Sequence, residues 1–414
     1  MTATTWRGGQ DHYLRDVSQS QSLDLTLRLT PSMAGIEAAA WDACANPGPH
    51  VTDEDESFNP FISHAFLSAL EVSGSATPET GWGGAHLIAE DADGTMLAAV
   101  PAYLKSHSRG EYVFDWGWAE AFERAGGAYY PKLQVCVPFT PVTGRRLLVR
   151  PGPHAAAATR LLINGLRTVM RRLGASSVHA TFLSEADHNA FETEGFLSRI
   201  DQQYHWQNDA YGSFDDFLTD LSSRKRKNIR RERRDALQND ITVERLTGKA
   251  ITEDHWDAFF GFYLDTGSRK WGSPYLTRSF FSLLGETLAD RVLLVMAKRQ
   301  GRYIAGALNL IGDKALYGRN WGASEDHPFL HFEVCYYQAM EFAIERGLAR
   351  VEAGAQGEHK LARGYRPTIT RSAHAFVDPG LGHAVADFLK RERAAVLHEG
   401  EVLGSYLPFR RDEA

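Results

Sequence analysis

Cysteine is scarce: Cys44, Cys136 and Cys335 are the only three in 414 residues. They are far apart and odd in number, so neither a disulfide framework nor a CxxC metal site is available. No apolar run approaches the roughly 18–20 residues needed to cross a bilayer. The opening MTATTWRGGQDHYLRD has neither the basic nor the apolar region of a secretory signal. The expected compartment is therefore the cytoplasm, and a peripheral place on the inner face of the membrane is compatible with that. Positive charge is outnumbered, 45 Lys and Arg against 52 Asp and Glu, for a net charge of −7. That balance excludes a protein coating nucleic acid over its whole surface and confines any such site to a local patch. The sixteen histidines form no HExxH motif or spaced Cys/His cluster, so no metal is expected. No GxSxG elbow occurs either. What remains is ordinary for a globular chain, 43% hydrophobic and 23% charged, and its length suits two domains.

An internal repeat gives those domains their form. NPFISHAFLSAL (59–70) resembles SPYLTRSFFSLL (273–284), with Pro60, Phe66, Ser68 and Leu70 matching Pro274, Phe280, Ser282 and Leu284. HLIAEDADGTMLAAVPAYL (from 86) lines up with LLVMAKRQGRYIAGALNL (from 293), bringing Gly94 onto Gly301. ATRLLINGLRTVMRRLG (158–174) matches HFEVCYYQAMEFAIERG (331–347), each an amphipathic helix ending in glycine. A short strand follows each, SVHATFL or ARVEAGA. Each copy therefore reads as helix, helix, β-hairpin, strand, helix, strand, helix, an α/β order with a mixed sheet. The polar QNDAYGS near 208–213 marks the boundary. The expected division is an N-terminal arm (1–22), a first domain (23–210) and a second domain (211–414).

Charge gathers in RKRKNIRRERR (224–234), where nine of eleven residues are charged and eight are cationic. Like charges at i,i+4 repel, so such a helix is unfavourable unless an anion compensates. Arg224, Lys225, Arg226, Lys227, Arg230 and Arg231 are therefore expected to bind phosphates, of tRNA, coenzyme A or lipid headgroups. The competing reading is a solvated helix paired with Asp215, Asp216 and Asp235. No aromatic interleaves the run, which argues against readout of single-stranded bases. A second polar stretch, EAGAQGEHKLARGYRP (352–367), begins on an expected central strand, where ionisable residues are unusual and glycines let a ligand approach. Amide formation needs a base and a donor for the oxyanion. Glu352 or His359 fits the first role, and Lys360 or Arg319 the second. Arg319, Trp321, Gln356, Arg363 and Tyr365 are the expected substrate-binding residues. A surface ion-pair cluster is the competing reading. Glu333, just inside the helix after Pro328, is a further candidate base, although the helix dipole alone would favour a carboxylate there.

YYPKLQVCVPFTPVTG (129–144), LSSRKRKNIRRERR (221–234), LYGRNWG (316–322), HPFLHFEVCYYQAMEFAIERG (327–347) and EAGAQGEHKLARGYRP (352–367) together resemble the FemAB-like acyltransferases, the family labelled peptidoglycan biosynthesis/recognition. The resemblance spans nearly the whole chain from about residue 58. It implies a tandem pair of GNAT-like acyl-CoA N-acyltransferase domains. The implied activity transfers an acyl or aminoacyl group to an acceptor amine, without a covalent enzyme intermediate. Acyl-CoA or aminoacyl-tRNA would be co-substrate, with no permanently bound cofactor, and the acceptor would be a small-molecule or lipid-linked amine. Fem ligases usually carry a long helical hairpin in the second half, for which this chain has no room. Acetyl-CoA enzymes of this fold hold pyrophosphate on a loop R/Q-x-x-G-x-G/A at a helix start. RPGPHAAAATR (150–160) and GASEDHPFLHFE (322–333) do not match it, and Glu325 and Asp326 would repel phosphate. An ordinary acyl-CoA N-acyltransferase and a non-catalytic module recognising a cell-wall or lipid-linked ligand are the alternatives. The second domain is expected to carry the chemistry and the first to shape the acceptor cleft.

Overall fold

The computed structural model describes residues 12–15, 25–48, 58–270, 274–355 and 357–410. In the first half the strands are β1 (His12–Arg15), β2 (Thr26–Thr30), β3 (Trp82–Gly84), β4 (His86–Glu90), β5 (Met96–Val100), β6 (Ala102–Lys105), β7 (Lys132–Val135), β8 (Leu148–Val149), β9 (Ser177–Thr181) and β10 (Leu197–Gln207). Between them lie α1 (Ala38–Ala45), α2 (His64–Val72), α3 (Trp116–Arg124), α4 (Ala155–Arg172) and α5 (Glu185–Thr193). The second half holds α6 (Phe214–Asp220), α7 (Ser223–Ala236), β11 (Ile241–Thr247), α8 (Glu253–Lys270) and α9 (Arg278–Thr287). After these come β12 (Val292–Arg299), β13 (Arg302–Ile311), β14 (Ala315–Ala323), α10 (Leu330–Phe332), α11 (Gln338–Glu345), β15 (Arg350–Glu352), β16 (Arg366–Phe376) and α12 (Pro379–Gly404). VLLVMA at the start of β12 is buried at every position, the pattern of a strand covered on both faces.

The repeated segments fold alike. NPFISHAFLSAL ends in α2 and SPYLTRSFFSLL in α9, and the rings of Phe66 and Phe280 meet edge-on at 5.6 Å where these helices pack. Gly94 and Gly301 take left-handed φ of 79° and 75° at the hairpin turns. Gly174 and Gly347 both take 65° after their helices, a conformation that a Cβ would strain. One sheet runs β1-β2-β4-β5-β8, and the other β11-β12-β13-β14-β15-β10-β16-β9-β7-β6-β3. Pro101 separates β5 from β6, where the chain passes from the first sheet to the second. Proline has no N–H to give a ladder, so the break costs no hydrogen bond.

The larger sheet crosses the expected boundary at 208–213. β10, from the first half, lies between β15 and β16 and is antiparallel to both. β16, from the second half, pairs on its other side with β9. The two halves thus exchange their last strands. α12 then packs over both β10 and β16, and the chain returns to α6, where the Arg410 amide donates to the Asp220 carbonyl at 2.9 Å. The connection between β6 and β7 is long, residues 106–131, and carries α3, whereas β13 and β14 are joined by 312–314 alone.

Candidate functional site

β14 and β15 pair in parallel over three residues, Ala315 with Arg350, Leu316 with Val351 and Tyr317 with Glu352, and then part. β14 runs on to Ala323 while β15 ends, leaving a wedge in the middle of the sheet. The register of β13 against β14 slips beside the wedge: Asn309 faces Gly318 and Leu308 faces Asn320, so Arg319 is the extra residue of a bulge. A bulge re-aims the side chain it carries. Arg319 crosses to the first half, donating to the Phe139 carbonyl at 2.5 Å with its guanidinium 5.8 Å from the Phe61 ring.

Between α8 and the end of β14 lies a cleft of about 800 Å³. Gly261 and Phe262 of α8, Trp321 of β14, and Glu325, Asp326 and His331 beyond it line the cleft. Rings connect it to the polar stretch. Trp321 lies 5.0 Å from His331, and His331 lies 5.2 Å from Tyr336 and 6.1 Å from His359. The Tyr336 hydroxyl and His359 Nε2 are 3.0 Å apart. His359 is exposed. Partial burial, and then the positive charges of Arg363 and Lys360, hold its pKa below the usual histidine value. It is therefore a neutral imidazole at pH 7, able to accept a proton.

The other expected catalytic groups are committed elsewhere. Lys360 is buried and its ammonium donates to the carbonyls of Ala353 at 2.5 Å and Gly354 at 3.2 Å. Burial brings its pKa down to about 8. It braces the turn where β15 leaves the sheet. Glu352 is buried, accepts from Arg350 Nε at 2.9 Å, and has its second oxygen 3.8 Å from His205 of β10. Glu333 has no exposure at all. It receives Arg233 bidentately at 3.0 and 2.8 Å and Gln338 at 2.7 Å, inside a π-helical turn, Glu333–Tyr337. It is half of a buried ion pair with Arg233.

Arg363 and Tyr365, expected to touch substrate, are buried as well. Arg363 donates to the Tyr337 hydroxyl at 3.0 Å, Glu232 at 2.8 Å and the His359 carbonyl at 2.8 Å, with its plane 3.4 Å over Phe332. Tyr337 in turn donates to Glu232. Gln356 lies outside the described residues. The basic run is a helix, as expected, but it is divided by face. Ile229, Glu232 and Arg233 turn inward, and Arg233 also bonds Glu341 at 2.6 Å. Arg230 pairs with Asp215 at 2.9 Å, both well exposed, and Arg226 reaches the Thr219 carbonyl at 3.5 Å. Arg224, Lys225, Lys227 and Arg231 bond no described residue. His331 and the exchanged strand with His205 were not singled out from sequence. His331 and Tyr336 stand in a quoted motif, but nothing local to β10 says which half it joins.

Among the described residues no three His, Cys, Asp or Glu side chains are grouped to hold a metal. No described helix is long and apolar enough to cross a membrane. A family model, FemAB-like, described as peptidoglycan biosynthesis/recognition, matches residues 32–411. The fold is similar to that of FemX, with a TM-score of 0.52 and 12% identity over 85% of this chain and 98% of that one. A conserved protein of unknown function from Bacteroides thetaiotaomicron gives 0.50 and 12% over 84% and 99%. A tandem GNAT protein of the clavulanic acid biosynthesis pathway gives 0.45 and 11% over 86% and 99%. No curated protein matches the chain. The fold is FemX-like, with the repeated plan built on a mixed sheet.

Proposed function

From the premise that this chain belongs to the FemAB-like family and is an acyl or aminoacyl transferase, we propose that it moves an aminoacyl group from aminoacyl-tRNA to a primary amine of a cell-wall or lipid-linked acceptor. The observation that carries the choice of donor is the loop after β14. Coenzyme A would need free N–H groups at the following helix start to hold its pyrophosphate. Here the amides of Leu330, Phe332 and Glu333 are already bonded to the carbonyls of His327 and Phe329. Glu325 and Asp326 beside them repel phosphate. The unpaired cations of α7 offer a separate surface to a long polyanion.

His359 is the base. As the amine attacks the acyl carbon, the C–N bond forms, the proton leaves nitrogen for the imidazole Nδ1, and the ester C–O bond breaks with its electrons on the ribose oxygen, which takes that proton back from the imidazolium. Tyr336 fixes the ring through Nε2, and general-base catalysis of this kind is worth about 10²–10⁴-fold. The test offers purified protein charged tRNA or acyl-CoA with a simple primary amine and follows amide formation. Transfer from tRNA that rises with pH through a midpoint below 6.5, and is lost in His359→Gln, supports the reading. Transfer from acyl-CoA with charged tRNA inert defeats it.

A further inference from the structure

The cleft between α8 and the end of β14 has a charge and a lining that select a ligand class. Its walls are aromatic or imidazole, from Phe262, Trp321, His327 and His331. Asp265, Glu325 and Asp326 stand among the lining residues, and no Lys or Arg does. Glu325 is held at 2.8 Å by Arg299 and by His327, while Asp326 is exposed and bonds no described residue. A cation is attracted to an indole face, the more so the drier the site, and a carboxylate at the rim fixes the sign of what is admitted. A volume of about 800 Å³ is that of a small-molecule site, in the usual range of roughly 300–1,000 Å³. Open space also reaches the helix backbone, since a Cβ built on Gly261 would meet nothing within 4 Å.

We infer that this cleft is a recognition site for the primary ammonium group of a substrate, seated against Trp321 with Asp326 as its counter-charge. The inference rests on the proposed transfer reaction and adds the substrate class to it. His331 lines the cleft and lies 6.1 Å from His359, so one imidazole ring separates an ammonium held there from the base. Such a group could be the α-ammonium of an aminoacyl donor or the amine of the acceptor, and the two are separable by experiment.

The full-length protein is titrated calorimetrically with L-alaninamide, which mimics the donor's α-ammonium, with 1,5-diaminopentane, which mimics an acceptor side chain, and with coenzyme A. Binding of either amine, weakened at least threefold in Asp326→Asn and by added salt, supports the inference, and the tighter amine identifies the source. Gly261→Met fills the opening from a position where methionine is the better helix former. It should abolish amine binding while the melting temperature holds or rises. Amine affinities unchanged in both variants, or coenzyme A binding that Gly261→Met removes, would overturn the inference. Binding is read without turnover, so amine binding with no transfer from tRNA defeats the proposed reaction alone.

Discussion

The two halves repeat one plan and treat their polar residues in opposite ways. In the first half the long 106–131 connection folds back over the strands and seals a charged cluster. Lys132, with no exposure, donates to Glu111 at 2.7 Å, Asp115 at 2.5 Å and Ser108 at 2.7 Å. Tyr129 adds a bond to Asp115 at 2.7 Å, and His179 meets His374 of the exchanged strand at 2.7 Å through their Nδ1 atoms. In the second half the equivalent connection is three residues long, 312–314, and the polar groups collect at the wedge and its cleft. Closure makes polar residues into structure, and an open wedge leaves one imidazole exposed. The same ancestral plan thus yields a scaffold in one copy and a candidate site in the other.

The largest expected effect breaks the sealed side. Lys132→Met takes the bonded cation from Asp115 and leaves Glu111 only Lys105 at 3.9 Å, and an uncompensated buried charge costs about 3–5 kcal/mol; urea unfolding should show a midpoint lowered accordingly. On the open side, His359→Gln should reduce transfer by about 10²–10⁴-fold with an unchanged melting temperature. Equal stability losses in these two variants would erase the contrast between the halves. Lys360→Met sits between them. Orphaning the Ala353 carbonyl, while Gly354 keeps the Tyr204 amide at 3.1 Å, should cost about 1–3 kcal/mol, measured by the same unfolding experiment, and lower activity through a looser turn.

Acid should act on the sealed cluster. Burial, and then the charge of Lys132, push His179 down to about 3, while burial and then His179 hold His374 well below its usual value. Between pH 6.5 and about 3 the unfolded chain binds protons at His179 that the folded chain refuses, so stability falls as pH drops through 6.5. Glu111, raised by burial to about 7, opposes this between about 7 and 4.5, because the folded form keeps its proton. Two histidines against one carboxyl give a net loss, and the melting temperature at pH 5 should lie below that at pH 7. The smallest effect on stability belongs to α7. Changing Arg224, Lys225, Lys227 and Arg231 to Gln should leave unfolding within about 0.5 kcal/mol while flattening the salt dependence of tRNA binding by about 0.7–0.9 per lost phosphate contact.

Much of the architecture was legible because its punctuation is local. The glycine pairs 94/301 and 174/347 carry positive φ wherever the plan recurs, and Phe66 and Phe280 mark the same helix face twice. The strand exchange was not legible, since β10 and β16 have similar alternation and only tertiary contacts decide where each pairs. Polar residues at 333, 360 and 363 stood out in the chain, but their partners lie far away or on the main chain. Arg233, which neutralises Glu333, comes from a run whose charge density suggested a ligand rather than a neighbour. Composition reveals which groups must be compensated; it does not say by what.

The exchanged strands also govern how the molecule can move. With β10 laddered to β15 and β16, and β16 to β9, the halves are interlaced like the fingers of two hands. Prising them apart would strip a whole row of main-chain hydrogen bonds, so the protein cannot breathe by swinging one half away from the other. Access to the wedge must come from side chains and from the short turns around it. The chain cut at 208–213 should give two pieces that each present a raw strand edge, insoluble apart and able to knit together only when refolded in each other's company.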